Sequence, residues 1–172
     1  GVIQCLINKS ITPVITLHHF THPSWFDKLG AFEKSENIVF FKRFCEKMFV
    51  QFSGQVKMWC TINEPGVFAV MGYFTGIFPP GKKNPGLTAQ VITNLLDAHV
   101  VIYHSLKKLP NGQKSKIGIV KNINQFDPWR RWNLLDWLVC IINNHIFNSI
   151  FITFFEKGKF KINIPGFIRT TH

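Results

Sequence analysis

Three short apolar segments of this 172-residue chain are each followed by residues that suit catalysis or ligand binding. These are His18, His19 and Phe20 after the first segment, Asn63 and Glu64 after the second, and Lys121 and Asn122 after the third. In parallel α/β proteins, ligands bind outside the carboxyl ends of the strands. If the three segments are strands of one parallel sheet, their polar ends meet at a single mouth.

Glu64 is the residue whose type and position suit catalysis best. A carboxylate directly after an apolar segment is costly unless it is hydrogen-bonded or faces a site. Apolar and aromatic walls favour its neutral form, which suits a general acid. Asn63 can donate a hydrogen bond to a substrate oxygen while Glu64 handles the proton. The residues alone leave a second interpretation open, a solvated loop carboxylate that caps the following segment.

The elements that must position these side chains alternate between helix and strand. Apolar and β-branched runs predict strands at 13–17, 56–62 and 117–120. Apolar stripes at helical spacing predict a helix from Ser35 or Asn37 to Phe52 and another capped by Thr88, and a helical region extends from Asn133 to about Glu156. A helix end precedes the first strand. We therefore predict an α/β fold with a parallel sheet and three consecutive strand–helix units, without an internal domain boundary.

Three segments resemble glycoside hydrolase family 1, the β-glucosidase family, in the order that the family has them. Residues 13–20 read Pro-Val-Ile-Thr-Leu-His-His-Phe, residues 61–65 read Thr-Ile-Asn-Glu-Pro, and residues 72–76 read Gly-Tyr-Phe-Thr-Gly, followed by Pro79-Pro80-Gly81. The resemblance implies a (β/α)8 TIM barrel and retaining hydrolysis of β-linked glycosides, without a metal or organic cofactor. The three units resemble the third, fourth and fifth strands of that barrel.

The resemblance also implies roles for individual residues. Glu64 is similar to the general acid/base, Asn63 to the residue that hydrogen-bonds the sugar 2-hydroxyl, and His19 to a ligand of sugar hydroxyls. Phe20 and Asn122 are assigned to the substrate-binding group, although Phe20 stands where many relatives have Trp.

The second carboxylate of the retaining mechanism is missing from the sequence. A retaining glycosidase needs a nucleophile about 5–5.5 Å from the acid/base, and the family's Ile-Thr-Glu-Asn-Gly type motif does not occur here. A complete barrel takes about 250 residues. We therefore interpret 1–172 as a single incomplete catalytic domain, the central portion of the barrel, from a fragment or truncated copy that is inactive alone.

Composition bears on partners and compartment. A net charge of +11 suggests nucleic acid, but no nucleic-acid motif accompanies the lysines, so no nucleic-acid partner is expected. No metal site is expected at His18 and His19, because adjacent strand residues point to opposite faces. Polar residues interrupt the most apolar stretch, 134–155, which disfavours a membrane span. Four cysteines without a disulfide or zinc pattern, and no signal peptide, favour the cytoplasm.

Two further possibilities remain open at this stage. The chain is alternatively a non-catalytic sugar-binding or interaction module derived from the enzyme, with aromatic side chains stacking on sugar rings or else filling the interfaces between sheet and helices. The aromatic residues in question are Phe20, Trp25, Trp59 and Trp129. Three parallel strands also leave two open edges, which predicts self-association through the unclosed barrel.

Overall fold

The computed structural model describes residues 1–158, 161–164 and 168–171. Its centre is a parallel sheet of three strands in the order β1-β2-β3, formed by Val14–His18, Met58–Asn63 and Lys116–Val120. Ile15, Trp59 and Ile117 lie side by side across the sheet. The predicted parallel α/β architecture with three strand–helix units is confirmed.

Seven α-helices are described around this sheet. They are α1 (Val2–Asn8), α2 (Ser24–Lys28), α3 (Ile38–Phe52), α4 (Pro65–Ala69), α5 (Pro85–Lys108), α6 (Leu134–Asn144) and α7 (Ile150–Lys157). Single 3-10 turns at Ala31–Glu33 and Ser35–Asn37 precede α3, and π-helical turns follow α4 and α6 at Val70–Phe74 and His145–Ser149. An antiparallel hairpin of β4 (Lys161–Ile164) and β5 (Ile168–Thr171) lies after α7.

The predicted cap of α5 is wrong, and one of the two residues predicted to cap α3 is right in position only. Helix α5 begins at Pro85, and its cap is Asn84, whose side-chain oxygen accepts the Leu87 N–H at 3.0 Å. Thr88 lies inside the helix, because proline is favoured at a first helical position, where its missing N–H costs no hydrogen bond. Asn37 occupies the N-cap position of α3, but its side chain does not cap the helix, because its amide donates to the carbonyls of Leu29 and Ala31.

The hydrophobic core lies between the sheet and the helices α3 and α5. The Trp59 ring on β2 is buried and packs against Phe49 on α3, with ring centroids 5.0 Å apart. Thr61, two residues further along β2, pairs with the buried ring of His99 on α5, with 2.8 Å between Oγ1 and Nδ1. Because side chains alternate along a strand, Trp59 and Thr61 belong to the helix-facing side of the sheet.

The opposite side of the sheet is largely uncovered. Val14 and Met58 are neighbours in register, and their side chains are 53% and 36% exposed. In a closed barrel this side faces the interior and is filled by side chains from other strands. The described sheet has no layer packed over it at these positions.

The segment Leu134–Lys157 is a continuous apolar stretch of helix. By length and composition alone, it is the one helix of the described chain that would reach across a membrane. All 11 residues of α6 are described, and none of them is buried. The continuous helix agrees with the helical region predicted from Asn133 to about Glu156.

Candidate functional site

Glu64 directly follows β2 and occupies a backbone conformation that is rare for side-chain-bearing residues. Its φ and ψ angles are 42° and 64°, in the left-handed region. Its N–H donates to the carbonyl of Val120 on β3 at 2.9 Å, and its own carbonyl accepts the Phe68 N–H of α4 at 3.1 Å. Non-glycine residues in this region are strained and tend to occur at functional sites, held there by surrounding structure. Here two backbone hydrogen bonds and Pro65 hold the turn.

Asn63 is the last residue of β2 and is half-buried, in register with Val120. On the other side of β2, His18 is in register with Ile62, so that His19 leaves the sheet at the same edge. Asn122 follows Val120 by two residues. The backbone positions of His19, Asn63, Glu64 and Asn122 therefore share the carboxyl edge of the sheet. That their side chains line one concave surface stays a prediction.

His18 and His19 have opposite environments, as the strand alternation predicts. The His18 side chain is 3% exposed and lies edge-on to the rings of Phe32 and Phe68, whereas His19 is exposed. Burial, together with His22 and His19, lowers the His18 pKa to about 3, so this ring is neutral at physiological pH. Within the described residues, no group of three or more histidine, cysteine or acidic side chains is placed to hold a metal ion.

Phe20 lies at the mouth in a left-handed conformation, with a φ of 67°. Its ring lies edge-on to the His19 ring, with 5.2 Å between centroids, and is nearly parallel to the Phe68 ring at 6.5 Å. Phe68 belongs to α4, directly behind Glu64. The aromatic wall of the mouth therefore connects β1 to the helix that follows the candidate acid.

The other three aromatic candidates lie in different environments. Trp59 is a core residue, and its indole N–H donates to the carbonyl of Val56 at 3.2 Å. Trp59 therefore fills the interface between sheet and helices, which is one of the two alternatives that the sequence left open. Trp25 is 52% exposed and contacts the rings of Phe26 and Phe40, whereas Trp129 is 91% exposed and fills no interface.

Lys121 is a residue of the site that the sequence analysis did not assign a role. Its ammonium donates to the backbone carbonyl of Asn122 and to Asn122 Oδ1, at 3.1 Å for the latter, and lies 4.9 Å from the centre of the Phe151 ring. Burial lowers the Lys121 pKa, and the opposite charge of Glu64 counteracts that shift. The sequence did offer one indication that Lys121 belongs to the site, because a lysine stands directly after the apolar run 117–120.

Lys121 fixes the orientation of the Asn122 amide. An ammonium group has donors and no acceptor, so the amide oxygen must face it. The NH2 group of Asn122 is then the half of the amide that is free to point elsewhere. Asp127, which follows β3 by seven residues, is exposed and accepts from Gln125 at 2.9 Å.

Comparison with solved structures identifies the architecture. The β-glycosidase from Pyrococcus horikoshii superposes with a TM-score of 0.85 and 35% sequence identity, over 98% of this chain and 38% of that one. The family 1 β-glucosidase from Thermotoga maritima gives a TM-score of 0.83 and 27% identity, over 94% and 36% of the two chains. The chain is thus part of a TIM-barrel glycosidase fold.

Sequence comparison agrees. The sequence profile of Glycosyl hydrolase family 1 matches residues 1–170, and the chain belongs to that family. It is 34% identical to the human cytosolic beta-glucosidase over 129 aligned residues. The alignment covers 74% of this chain and 27% of that protein. A 1,4-beta-D-glucan glucohydrolase of Thermotoga neapolitana is 34% identical over 128 residues, covering 74% and 29%. The chain therefore spans less than a third of these two relatives.

Proposed function

We propose that residues 1–172 carry the acid/base half of a retaining β-glycosidase site, as a single incomplete catalytic domain. The supporting observation is the position of Glu64, held by Val120 and Phe68 at the carboxyl edge of a parallel sheet in a family 1 chain. The substrate is a β-linked glycoside. Asn63 and His19 bind the sugar hydroxyls, Phe20 packs against the sugar, and Asn122 donates to a substrate oxygen.

In the proposed mechanism Glu64 acts twice. A carboxylate from outside 1–172 attacks the anomeric carbon while Glu64 protonates the departing glycosidic oxygen. Glu64 then removes a proton from water, which attacks the same carbon and releases the sugar from the nucleophile. Among residues 1–172, the sequence holds no motif of the nucleophile type, so we propose that this chain alone is inactive.

The compartment belongs to the same proposal. The four cysteines are free thiols in the structure, and a relative is a cytosolic beta-glucosidase. Free thiols persist in reducing compartments. We place the protein in the cytoplasm.

The test has two arms. The purified chain should give no hydrolysis of a chromogenic β-glucoside above background. A chimera, in which residues 1–172 replace the matching segment of the Pyrococcus horikoshii β-glycosidase, should hydrolyse it. Glu64→Gln in the chimera should lower the rate about 10²–10⁴-fold, the usual contribution of acid–base catalysis.

The leaving group separates an acid/base role from a structural one. A dinitrophenolate leaving group departs with little protonation. In Glu64→Gln, the attack of the nucleophile on a dinitrophenyl glucoside should therefore proceed at a nearly normal rate. Added azide, which attacks without a general base, should then restore turnover. Asp127→Asn is the matched control and should leave the rate unchanged. The proposal would be contradicted if Glu64→Gln lowered the rate equally on all substrates, or if the chain alone hydrolysed the glucoside. Glycoside binding without turnover by the chimera would favour the sugar-binding module instead.

A further inference from the structure

A cavity of about 270 Å³, here called the Lys121 cavity, lies between α4, α5, the loop after β3 and the helical stretch of the π-turn and α7. These elements belong to the second and third strand–helix units. The strand that leads into α4 is β2, the central strand of the described sheet. The cavity therefore lies between two neighbouring units that are both part of the chain, and not at an open edge of the sheet.

The wall of the Lys121 cavity is almost entirely apolar. Apart from Lys121 and Asn122, it consists of glycine, aliphatic, methionine and phenylalanine residues. Ile92, Ile150 and Phe151 in this wall are buried. A water molecule in a cavity needs two to four polar partners, and apolar cavities stay dry and take up apolar molecules instead. The wall therefore favours an apolar group as the occupant.

Lys121 is the one charged residue among the described residues that line this cavity. Its ammonium has three N–H donors, and Asn122 accepts from it at the backbone carbonyl and at Oδ1. None of the ion pairs formed by the described residues includes Lys121. A half-buried cation that lacks an ion pair, next to an apolar wall, suits an apolar molecule that carries a negative charge.

The Lys121 cavity lies close to the candidate acid/base. Gly66, which is part of its wall, follows Glu64 by two residues, and the charge of Glu64 acts on the Lys121 pKa. In the proposed reaction, Glu64 protonates the glycosidic oxygen, at which the leaving group of the glycoside, the aglycone, begins. A cavity beside the Glu64 turn is therefore placed to receive the aglycone.

We propose that Lys121 selects substrates whose aglycone is apolar and carries a negative charge, such as an aromatic carboxylate. The apolar part of the aglycone lies in the Lys121 cavity, and its carboxylate accepts a hydrogen bond from the Lys121 ammonium. A hydrogen bond between two charged groups is stronger than a neutral one, so a neutral aglycone of similar shape binds less tightly. The inference rests on the proposed function and deepens it, because it names the class of leaving group.

The test uses the chimera described above and two substrates with the same ring system. Methylumbelliferyl β-glucoside has a neutral aglycone, and carboxyumbelliferyl β-glucoside has an anionic one. Because the two leaving groups differ in acidity, the measured quantity is the ratio of their kcat/KM values, anionic over neutral, and its change between variants. Lys121→Met should lower this ratio about tenfold or more, the usual effect of losing a hydrogen bond to a charged group. Lys121→Arg keeps the charge and should preserve the ratio.

Two further variants separate the charge of Lys121 from other effects. Lys116→Met is the matched control, because Lys116 lies at the other end of β3, is exposed and does not line the cavity. It should leave the ratio unchanged. Asn122→Ala removes the amide that Lys121 orients and should lower kcat/KM equally on both substrates. In Lys121→Met the loss on the anionic substrate should appear in KM, because the ion pair forms already in the enzyme–substrate complex.

Binding of the free aglycone is a second measurement that does not depend on catalysis. Carboxyumbelliferone is titrated with the chimera that carries Glu64→Gln, and its fluorescence anisotropy is recorded. Adding Lys121→Met should raise the dissociation constant about tenfold or more. The dissociation constant of the neutral methylumbelliferone should not change in the same way.

The outcomes distinguish this inference from the proposed function. A chimera that hydrolyses neither substrate, but binds carboxyumbelliferone through Lys121, would support the inference and count against the role of Glu64. Hydrolysis of both substrates with a ratio that Lys121→Met leaves unchanged would overturn the inference alone, because Lys121 would then act only through Asn122. An equal fall of the ratio in Lys116→Met, or carboxyumbelliferone binding that is absent or independent of Lys121, would also overturn it.

Discussion

The ring of Phe151 on α7 lies directly against Gly66, two residues after the candidate acid Glu64. A Cβ atom on residue 66 would come within 2.9 Å of the Phe151 ring. The Lys121 ammonium lies over the face of the same ring, 4.9 Å from its centre. One aromatic side chain from the last described helix therefore packs against both the β2 end and the β3 end of the site.

Gly66→Ala is expected to destabilise the chain by about 1–3 kcal/mol, because overpacking a tight contact forces a side chain or the backbone to move. Urea denaturation followed by circular dichroism measures the change. Gly54→Ala is the control, since a Cβ at that position meets nothing within 4 Å. Equal stabilities of the two variants would show that the contact with Phe151 is not close-packed in solution.

The cap of α5 supplies a second prediction. Asn84→Ala removes the acceptor of the Leu87 N–H and should lower the free energy of unfolding by about 1 kcal/mol, the usual cost of a lost N-cap. Asn84→Asp keeps the acceptor and should restore most of the loss. If Thr88→Ala lowered the free energy of unfolding by about 1 kcal/mol and Asn84→Ala did not lower it, Thr88 would be the cap, as the sequence predicted.

Much of the fold was predictable because its strands are short apolar runs between turn residues. The β1 and β3 predictions agree with the structure to within a residue, and Asn133 does cap α6, accepting the Leu135 N–H. The cap at Asn84 was missed because Pro85 and Gly86 also mark loops, and local sequence does not separate a loop proline from one that starts a helix.

The candidate site was predictable only in part, and for a physical reason. Glu64 stands out because a carboxylate after an apolar strand is unusual in any fold. The role of Lys121 depends on Phe151, thirty residues later in the chain, which comes next to it only when α7 packs on the sheet. The sequence left two environments open for Trp59, because a continuous apolar run does not show which face of the sheet each side chain joins.

The contact between Lys121 and Asn122 supplies a third prediction. Lys121→Met removes the donor that holds Asn122 Oδ1, so the Asn122 amide should lose its fixed orientation. In nitrogen-15 NMR spectra its side-chain NH2 signals should broaden or approach each other. Lys121→Arg keeps a cationic donor and should preserve the signals. Unchanged Asn122 signals in Lys121→Met would mean that another group orients the amide.

The hydrogen bond between Thr61 and His99 supplies the last prediction, a dependence of stability on pH. Burial, and to a smaller extent the charge of His104, lowers the His99 pKa to about 4, from an ordinary value of 6.5. The Thr61 hydroxyl oxygen lies 2.8 Å from His99 Nδ1 and 3.3 Å from the Gly118 carbonyl oxygen. Because the ring is buried, its charged form is disfavoured in the folded chain.

The sign follows from proton linkage. Between pH 6.5 and pH 4 the unfolded chain binds a proton at residue 99 that the folded chain does not, so stability is full above pH 6.5 and is lost as the pH falls. From pH 6.5 to pH 5 the loss at His99 is about 1.5 kcal/mol. His18, whose pKa is also lowered by burial, adds a loss in the same direction.

The free energies of unfolding of the wild type and of His99→Gln are measured by urea denaturation at pH 6.5 and pH 5. The comparison separates the contribution of His99 to the pH dependence from the contributions of His18 and the carboxylates. The difference in stability between the two pH values should be about 1.5 kcal/mol smaller in His99→Gln. His18→Gln should also reduce the difference, and the double variant should reduce it further. An identical pH dependence in the wild type and His99→Gln would show that the His99 ring titrates alike in the folded and unfolded chain, which is incompatible with its burial between β2 and α5.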